Sequence, residues 1–242
     1  MAQVGLLMKP ELSTKRKLAL ATALAVMFVI GTSVAVAGDP PAGGDKEPLK
    51  LQLPMPTFKG TPGNLPSGPH IEPISDKPMP AFLVPKGVQN VALAKPVTSS
   101  STPFSGELVQ ITDGQKEPSD DQAVEFKKGS QWVQVDLGHS QVIYAIAIWH
   151  DNRTIQAFHD VVIQVADDPA FKTGLVTLYN NDLDNSSGLG IGSDKEYFET
   201  KFGRVVDGMG TKARYLRSYT KGSTGSVFNA HQEIEVYGLP GN

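Results

Sequence analysis

The 242-residue sequence predicts an all-β domain carried behind an apolar N-terminal segment and a proline-rich tether. Two adjacent runs carry the β prediction. Residues 131–138 alternate, with Val133, Val135 and Leu137 on one side and Trp132, Gln134 and Asp136 on the other, which is the period of a half-buried strand. Residues 142–149 are β-branched or apolar on both faces, as in a strand covered from both sides. The third observation is negative: beyond the N-terminus, no ten-residue stretch keeps a helical apolar stripe.

In chain order, Lys9, Lys15, Arg16 and Lys17 precede an apolar run over 18–30, and Ala35-Val36-Ala37 forms a small-residue cleavage site before Gly38. This reads as a signal peptide. The stretch 18–37 is also 20 residues without charge, enough to span a bilayer as a retained helix, with the basic cluster on the cytoplasmic side. Both readings place the remainder outside the cytoplasm. Residues 38–89 hold 12 of the 18 prolines and predict an extended, polyproline-like linker. It reads either as a free spacer or, because its apolar residues (Leu49, Leu51, Leu53, Met55, Phe82 and Leu83 among them) are more numerous than a spacer needs, as a segment laid along a partner.

The folded domain is expected over 90–242. Strand-like runs fall at 91–94, 108–112, 123–126, 131–137, 142–149, 160–166, 175–179, 197–200, 213–219 and 232–237. Turn residues such as Asp113-Gly114 and Lys221-Gly222-Ser223 separate them. Many short strands at regular spacing predict a sandwich.

Composition excludes several functions. A net charge of −3 leaves no electrostatic footprint for nucleic acid. The absence of cysteine removes disulfides, thiol catalysis and thiolate metal sites. No Gly-x-Ser-x-Gly elbow and no helper histidine at a known spacing accompany the serines, so the chain is read as non-catalytic.

The motifs Asn90-Val91-Ala92-Leu93-Ala94, Ile111-Thr112-Asp113-Gly114, Trp132-Val133-Gln134-Val135-Asp136-Leu137-Gly138, Ala213-Arg214-Tyr215-Leu216-Arg217 and Glu233-Ile234-Glu235-Val236-Tyr237-Gly238 occur in the order seen in discoidin domains, also called coagulation-factor C-type modules. The chain resembles that family over about 150 residues, the whole of 90–239. The resemblance implies an eight-stranded antiparallel jelly-roll sandwich with its ends close together and binding loops at the other end. It also implies a non-catalytic module whose ligand is a glycan, a phospholipid or a protein, because fold does not choose among them.

Two sets of candidate residues follow. The bacterial branch of the family often carries a structural calcium, and the matching positions are Asp113 and Glu233, with Asp120 and Asp121 as further oxygen donors. In the carbohydrate-binding branch, polar side chains take the hydroxyls and an aromatic ring takes the sugar face; His150, Asn152, Arg153 and Phe158 supply those types around one loop. The spacing of His150, Asp151, His159 and Asp160 fits no standard zinc pattern. Residues 180–192 form an Asn-, Asp- and Gly-rich loop longer than usual for the family, with a glycine one place late for an EF-hand.

The functional expectation is a membrane-tethered accessory subunit, docked through linker and loops on a protein partner in a membrane complex, where the anchor would raise its effective concentration. The alternative is an exported carbohydrate-binding module. On the tethered reading, N-terminal sequencing of the mature protein should find residues 18–37 retained; a start at Gly38 would overturn it and leave the exported module.

Overall fold

A computed structural model describes residues 45–56, 64–75, 77 and 79–239. The apolar segment 18–37 lies outside them, as do both readings of it. Among the described residues no helix is long and apolar enough to cross a membrane.

The described chain is all-β and antiparallel. Its strands are β1 (Lys46–Pro48), β2 (Leu83–Pro85), β3 (Gln89–Asn90), β4 (Val97–Ser99), β5 (Val124–Phe126), β6 (Gln131–Trp149), β7 (Val162–Ala166), β8 (Val176–Asn180), β9 (Arg204–Thr220), β10 (Asn229–His231) and β11 (Glu233–Gly238). One short 3₁₀ helix, Leu108–Thr112, is the only helix among the described residues. The main sheet runs β3-β11-β6-β9-β7-β8, with β4 also on β6. The pairs β1-β2 and β5-β10 stand apart from it. Eleven strands are thus described, several of only two or three residues, where eight were expected.

β6 and β9 form the spine. The two runs expected as separate strands, 131–137 and 142–149, are one strand of 19 residues. Gly138, at a φ of 89°, makes a bulge and not a hairpin turn, and its N–H is taken by Asp136 Oδ1 at 2.8 Å. β9 likewise starts at Arg204, well before the expected 213. A second register shift falls between Ile143 and Ala145. It inverts the strand's parity: Val133, Val135, Leu137 and Ile143 enter the main core, and so do Ile146 and Ile148. Gly208 permits this bulge, since a Cβ there would stand 2.4 Å from the Ile143 carbonyl oxygen.

Three further expectations are corrected. Residues 91–94 are turns, with Ala94 at a φ of 55°, because Ala94 N–H bonds Thr112 O and not a strand neighbour. Residues 108–112 are the 3₁₀ helix, closed by Glu107 and Gln110 as a capping box. Residues 197–200 contribute only a single bridge, Phe198 to Ala157.

The main core lies between the large sheet and the layer of β5, β10 and the 3₁₀ helix, and contains Ile111, Phe126, Ile163, Leu216, Ile234 and Val236. The opposite face of β6 presents Tyr144, Ala145, Ala147 and Trp149, all buried. What buries them is the stretch expected to be a free linker. β1 pairs with β2, Leu49 N–H bonds Phe82 O at 2.7 Å, and Val84, Leu49, Leu51 and Phe82 pack on Tyr144, Trp149 and Tyr237. Further along, Glu72 N–H bonds Glu196 O at 2.8 Å, and Glu72 accepts from Arg204 Nη1 at 2.8 and 2.9 Å. The described strap from Lys46 on is therefore packed with the sandwich, ahead of the expected start at Asn90. Proline did not prevent this, because only three pairs, at the sheet's outer face, are asked of the strap. Leu49, Leu51 and Phe82 are partly buried on the chain itself, while Leu53, Met55, Met79 and Leu83 stay exposed.

Limited proteolysis should leave a resistant fragment starting near Asp45, and Val84→Ala should cost about 2 kcal/mol through two lost methyl groups and their cavity. A fragment beginning at Asn90 that melts like the whole protein would show the strap to be dispensable.

Candidate functional site

The residues matched to calcium and those matched to sugar meet in different surroundings. Glu233, the first residue of β11, is fully buried, and both its oxygens accept from Gly114 N–H, at 3.1 and 3.2 Å. The Asp113-Gly114 turn therefore sits on the Glu233 carboxylate, and Asp113 is close enough to add its charge. Asp113 Oδ1 accepts from Gln115 N–H at 2.7 Å. Burial, with the neighbouring Glu235 charge, pushes the Glu233 carboxyl up to about 9. Lys116 is the nearby cation, but it is committed to Glu235 at 2.5 Å and lies 5.0 Å over the Trp149 ring. Three carboxylates thus share one lysine. The three do not form a group of ligand atoms close enough to share one ion; on the resemblance, a calcium held by Asp113 and Glu233 with neighbouring carbonyls would supply positive charge there. Asp120 is elsewhere, paired with Arg153.

The loop 150–160 is divided between interior and surface. His150, Asn152 and Phe158 are buried. His150 Nδ1 contacts Glu199 Oε1 at 2.6 Å, both side chains having no exposed surface, and the imidazole stacks on Phe158 at 4.8 Å. His231 lies 5.1 Å from it, and burial, with His150 adjacent, holds the His231 imidazole well below its ordinary value and so neutral. Asn152 Nδ2 bonds Lys116 O at 3.3 Å. These three side chains support the loop from beneath and offer no surface to a ligand.

Arg153 is the member that reaches the surface. It forks onto Asp151, Nε to Oδ1 at 2.9 Å and Nη2 to Oδ2 at 3.0 Å. Nη1 bonds Asp120 Oδ1 at 3.0 Å and Nη2 bonds Glu125 Oε1 at 2.7 Å. The Asp151 fork and these further carboxylates raise its already high pKa and keep it charged. Of its five N–H donors these bonds use four, so one Nη1 proton is left for a ligand.

The sheet β5-β10 explains what surrounds Arg153. Val124 and Phe126 point into the core, so Glu125 between them points out. Ala230 is opposite Glu125 and packs at the core's margin, and Phe228 lies in the bend just before β10 with its ring exposed. Phe104 N–H bonds Glu125 O at 2.9 Å, which brings the Phe104 ring to 5.3 Å from the Phe228 ring, edge to face. Both rings are about half exposed, at 57% and 47%. Glu125 escaped the sequence reading inside a strand-like apolar run, and Phe104 and Phe228 because each is an isolated aromatic in a polar segment that only chain pairing brings together. Their one signal was aromatic residues in Ser- and Gly-rich loops, where no core position requires them.

A second polar concavity lies across the turn 221–223. His159, Asp160, Asn181, Asp184, Glu196 and Lys221 line about 430 Å³. Glu196 Oε1, 2.7 Å from His159 Nδ1, raises the His159 pKa. Asp160, Asp182 and Asp184 bring carboxylate oxygens within 4.8 Å of one another, so this cluster could hold a metal ion by distance.

No protein-family model and no curated protein matches the chain. Solved structures similar to it include a chitosan-binding module of a chitosanase/glucanase from Paenibacillus sp. IK-5, at 23% identity over 62% of this chain and 99% of the module, with a TM-score of 0.42. A fucose-binding module of Streptococcus pneumoniae is 20% identical over 64% of this chain and 98% of its own, with a TM-score of 0.44. A Clostridium perfringens module in complex with GlcNAc-α-1,4-galactose is 14% identical over 64% and 96%, with a TM-score of 0.43.

The Glu233 carboxyl favours its neutral form in the metal-free fold, so that stability should fall as pH rises from about 4.5 to about 9. At pH 8 without metal, Glu233→Gln should melt several degrees above the wild type. Millimolar calcium should raise the wild type by a similar amount and leave the variant unmoved. A wild-type melting curve indifferent to both chelator and calcium would remove the ion.

Proposed function

We propose that this protein is a non-catalytic carbohydrate-binding module working outside the cytoplasm, and that its sugar site is the outer face of the β5-β10 pair. One arrangement carries the reading: Glu125 takes the Arg153 guanidinium on its side chain and Phe104 N–H on its carbonyl oxygen, and the exposed Phe104 ring stands edge to face with exposed Phe228. A sugar ring has C–H faces that pack on aromatic rings and an equatorial belt of hydroxyls that both donate and accept. Arg153 offers the free Nη1 proton to such a hydroxyl. Glu125 Oε2 and Asp120 Oδ2 accept no hydrogen bond among the described residues and can take the hydroxyl's own proton.

Charge selects among the ligands the fold permits. One arginine faces Asp120, Glu125 and Asp151, so the site is net negative. Phosphates of a lipid surface would be repelled, and neutral hydroxyl groups would not. The geometry also explains the buried histidines: His150 and Phe158 fix the loop that aims Arg153. Whether residues 18–37 remain as an anchor bears on where the module works, not on what it binds. A retained anchor would hold the β5-β10 face near the membrane and raise its effective concentration toward surface glycans or a glycosylated partner.

Phe104→Ala, Phe228→Ala and Arg153→Lys should each weaken binding on a glycan array at least tenfold. The two phenylalanine variants should keep the wild-type melting curve within about 0.5 kcal/mol, since both rings lie at the surface. A wild type that binds no glycan at millimolar concentration would end this reading.

A further inference from the structure

The strap has an outer side that the sandwich does not use. In the β1-β2 pair Glu47 stands opposite Val84, and Val84 is buried on the sheet, so Lys46, Pro48 and Leu83 on either side turn outward. Leu83 is 56% exposed, and on the same strap Met55 is 70%, Leu53 43% and Met79 40% exposed. Leu53 and Met79 meet Leu51, Phe82 and Phe202 at a cleft of about 220 Å³, and every side chain lining it is apolar. A polar ligand would find no side-chain hydrogen bond there. Apolar residues scattered singly on a surface are ordinary, but four on one strap beside an apolar cleft form a patch.

The charge on this side runs against that of the chain. The whole sequence has a net charge of −3, yet the strap over 45–56 and 77–86 carries Lys46, Lys50, Lys77 and Lys86 against Asp45 and Glu47. Glu47 belongs to the inward side, where its Oε1 accepts Gly87 N–H at 3.2 Å. Among the described residues only Lys50 of the four lysines makes an ion pair, with Glu47 at 3.9 Å, and its side chain is still 87% exposed. Lys86 N–H bonds Asp45 O at 2.9 Å, which sets Lys46 and Lys86 together at the strap's entry. Glu117 adds a negative charge at the far end, where it accepts Met55 N–H at 3.0 Å. An apolar patch rimmed by cations matches one kind of surface, acyl chains beneath anionic headgroups. The order of the chain agrees: the uncharged run 18–37 ends seven residues before Asp45. Wherever that run is held in a bilayer, the strap is the next part of the described chain to meet its surface.

We propose that the outer side of the strap is a docking face for an anionic phospholipid bilayer. Leu53, Met55, Met79 and Leu83 enter the boundary between headgroups and acyl chains, and Lys46, Lys50, Lys77 and Lys86 lie among the phosphates. The strap precedes residues 90–239, so this face is an addition to the module and is independent of the carbohydrate reading. It also orients the module. The surface that attracts the strap's lysines repels Asp120, Glu125 and Asp151 around Arg153. Docking through the strap therefore leaves the sugar face free.

The test uses the full chain, reconstituted in vesicles of phosphatidylcholine alone or of phosphatidylcholine with about one third phosphatidylglycerol. Spin-labelled lipid is added to each, and the methionine methyl and phenylalanine ring signals are followed by NMR. With phosphatidylglycerol, Met55 and Met79 should broaden at least tenfold more than Phe104 and Phe228. Salt at about 0.5 M should reverse most of that broadening. The double change Lys50→Glu and Lys86→Glu alters exposed side chains only; it should cut the broadening tenfold or more and leave the melting curve in place. Met55 and Met79 unbroadened in phosphatidylglycerol vesicles would refute the proposal. Equal broadening in both kinds of vesicle, or at Phe104 and Phe228 as much as at Met55 and Met79, would show mere confinement by the N-terminal segment and refute it too. Methionine signals that ignore lipid and move with protein concentration would make the face a contact between copies and refute the bilayer as its occupant. Glycan binding measured on the same vesicles tests the sugar face separately.

Discussion

β6 and β9 pair from Gln131–Thr220 to Ile148–Arg204, and every other part of the domain is placed by that ladder. β4 and β11 attach to opposite halves of β6, and β7 attaches to β9. A ladder this long would, if regular, put one set of side chains on one face throughout. The bulge at Ile143 prevents it and trades the faces partway. One strand can then serve the main core in both halves while its far half turns Trp149 and Ala147 to the strap. With no cysteine in the chain, this shared apolar packing, and not a covalent tie, has to hold the strap and sheet together.

The site depends on the same ladder at one remove. β6 ends at Trp149, so His150 leaves the sheet while still deep inside it, and Glu199 meets it there. Three residues later the chain has reached the surface, and Arg153 emerges among carboxylates from two other segments. The buried polar group and the exposed one are thus consequences of a single strand end.

The strands were readable where one face is core and the other is not. Residues 131–137 show the alternation, and 142–149 show the doubly apolar run of a strand covered twice. That second signal also implied a cover for the outer face, and the sequence held the cover in plain view: Leu49, Leu51, Phe82 and Val84. They were masked by proline, whose preference for extended backbone looks the same in a tether and in a strap that needs few ladder bonds. Gly138-His139-Ser140 has the composition of a turn, and only the partner strand decides that it is a bulge. The site was harder. His150, Asn152 and Phe158 have the right residue types at a loop, but residue type does not say which side of the backbone meets water. The Asp113-Gly114 turn and Glu233 meet across 119 positions through the Gly114 N–H, a contact that the sequence order alone does not display. Phe104 and Phe228 are 124 positions apart and meet only through the β5-β10 pairing.

The β1-β2 pair has a mechanical meaning. Lys46, where the strap enters, is registered with Pro85, where the chain passes on toward β3. Tension applied at Asp45 and resisted by the sandwich therefore loads the pair at one end. Its three rungs open in turn, like a zipper, and do not share the load as they would in shear. The load then passes to the strap's later holds, its packing on Tyr144 and Trp149 and the Glu72–Arg204 pair, which yield one after another. A module gripping a glycan at one end and held at the other would thus carry its own shock absorber. It would yield at the strap while β6 and β9 kept the binding face in shape.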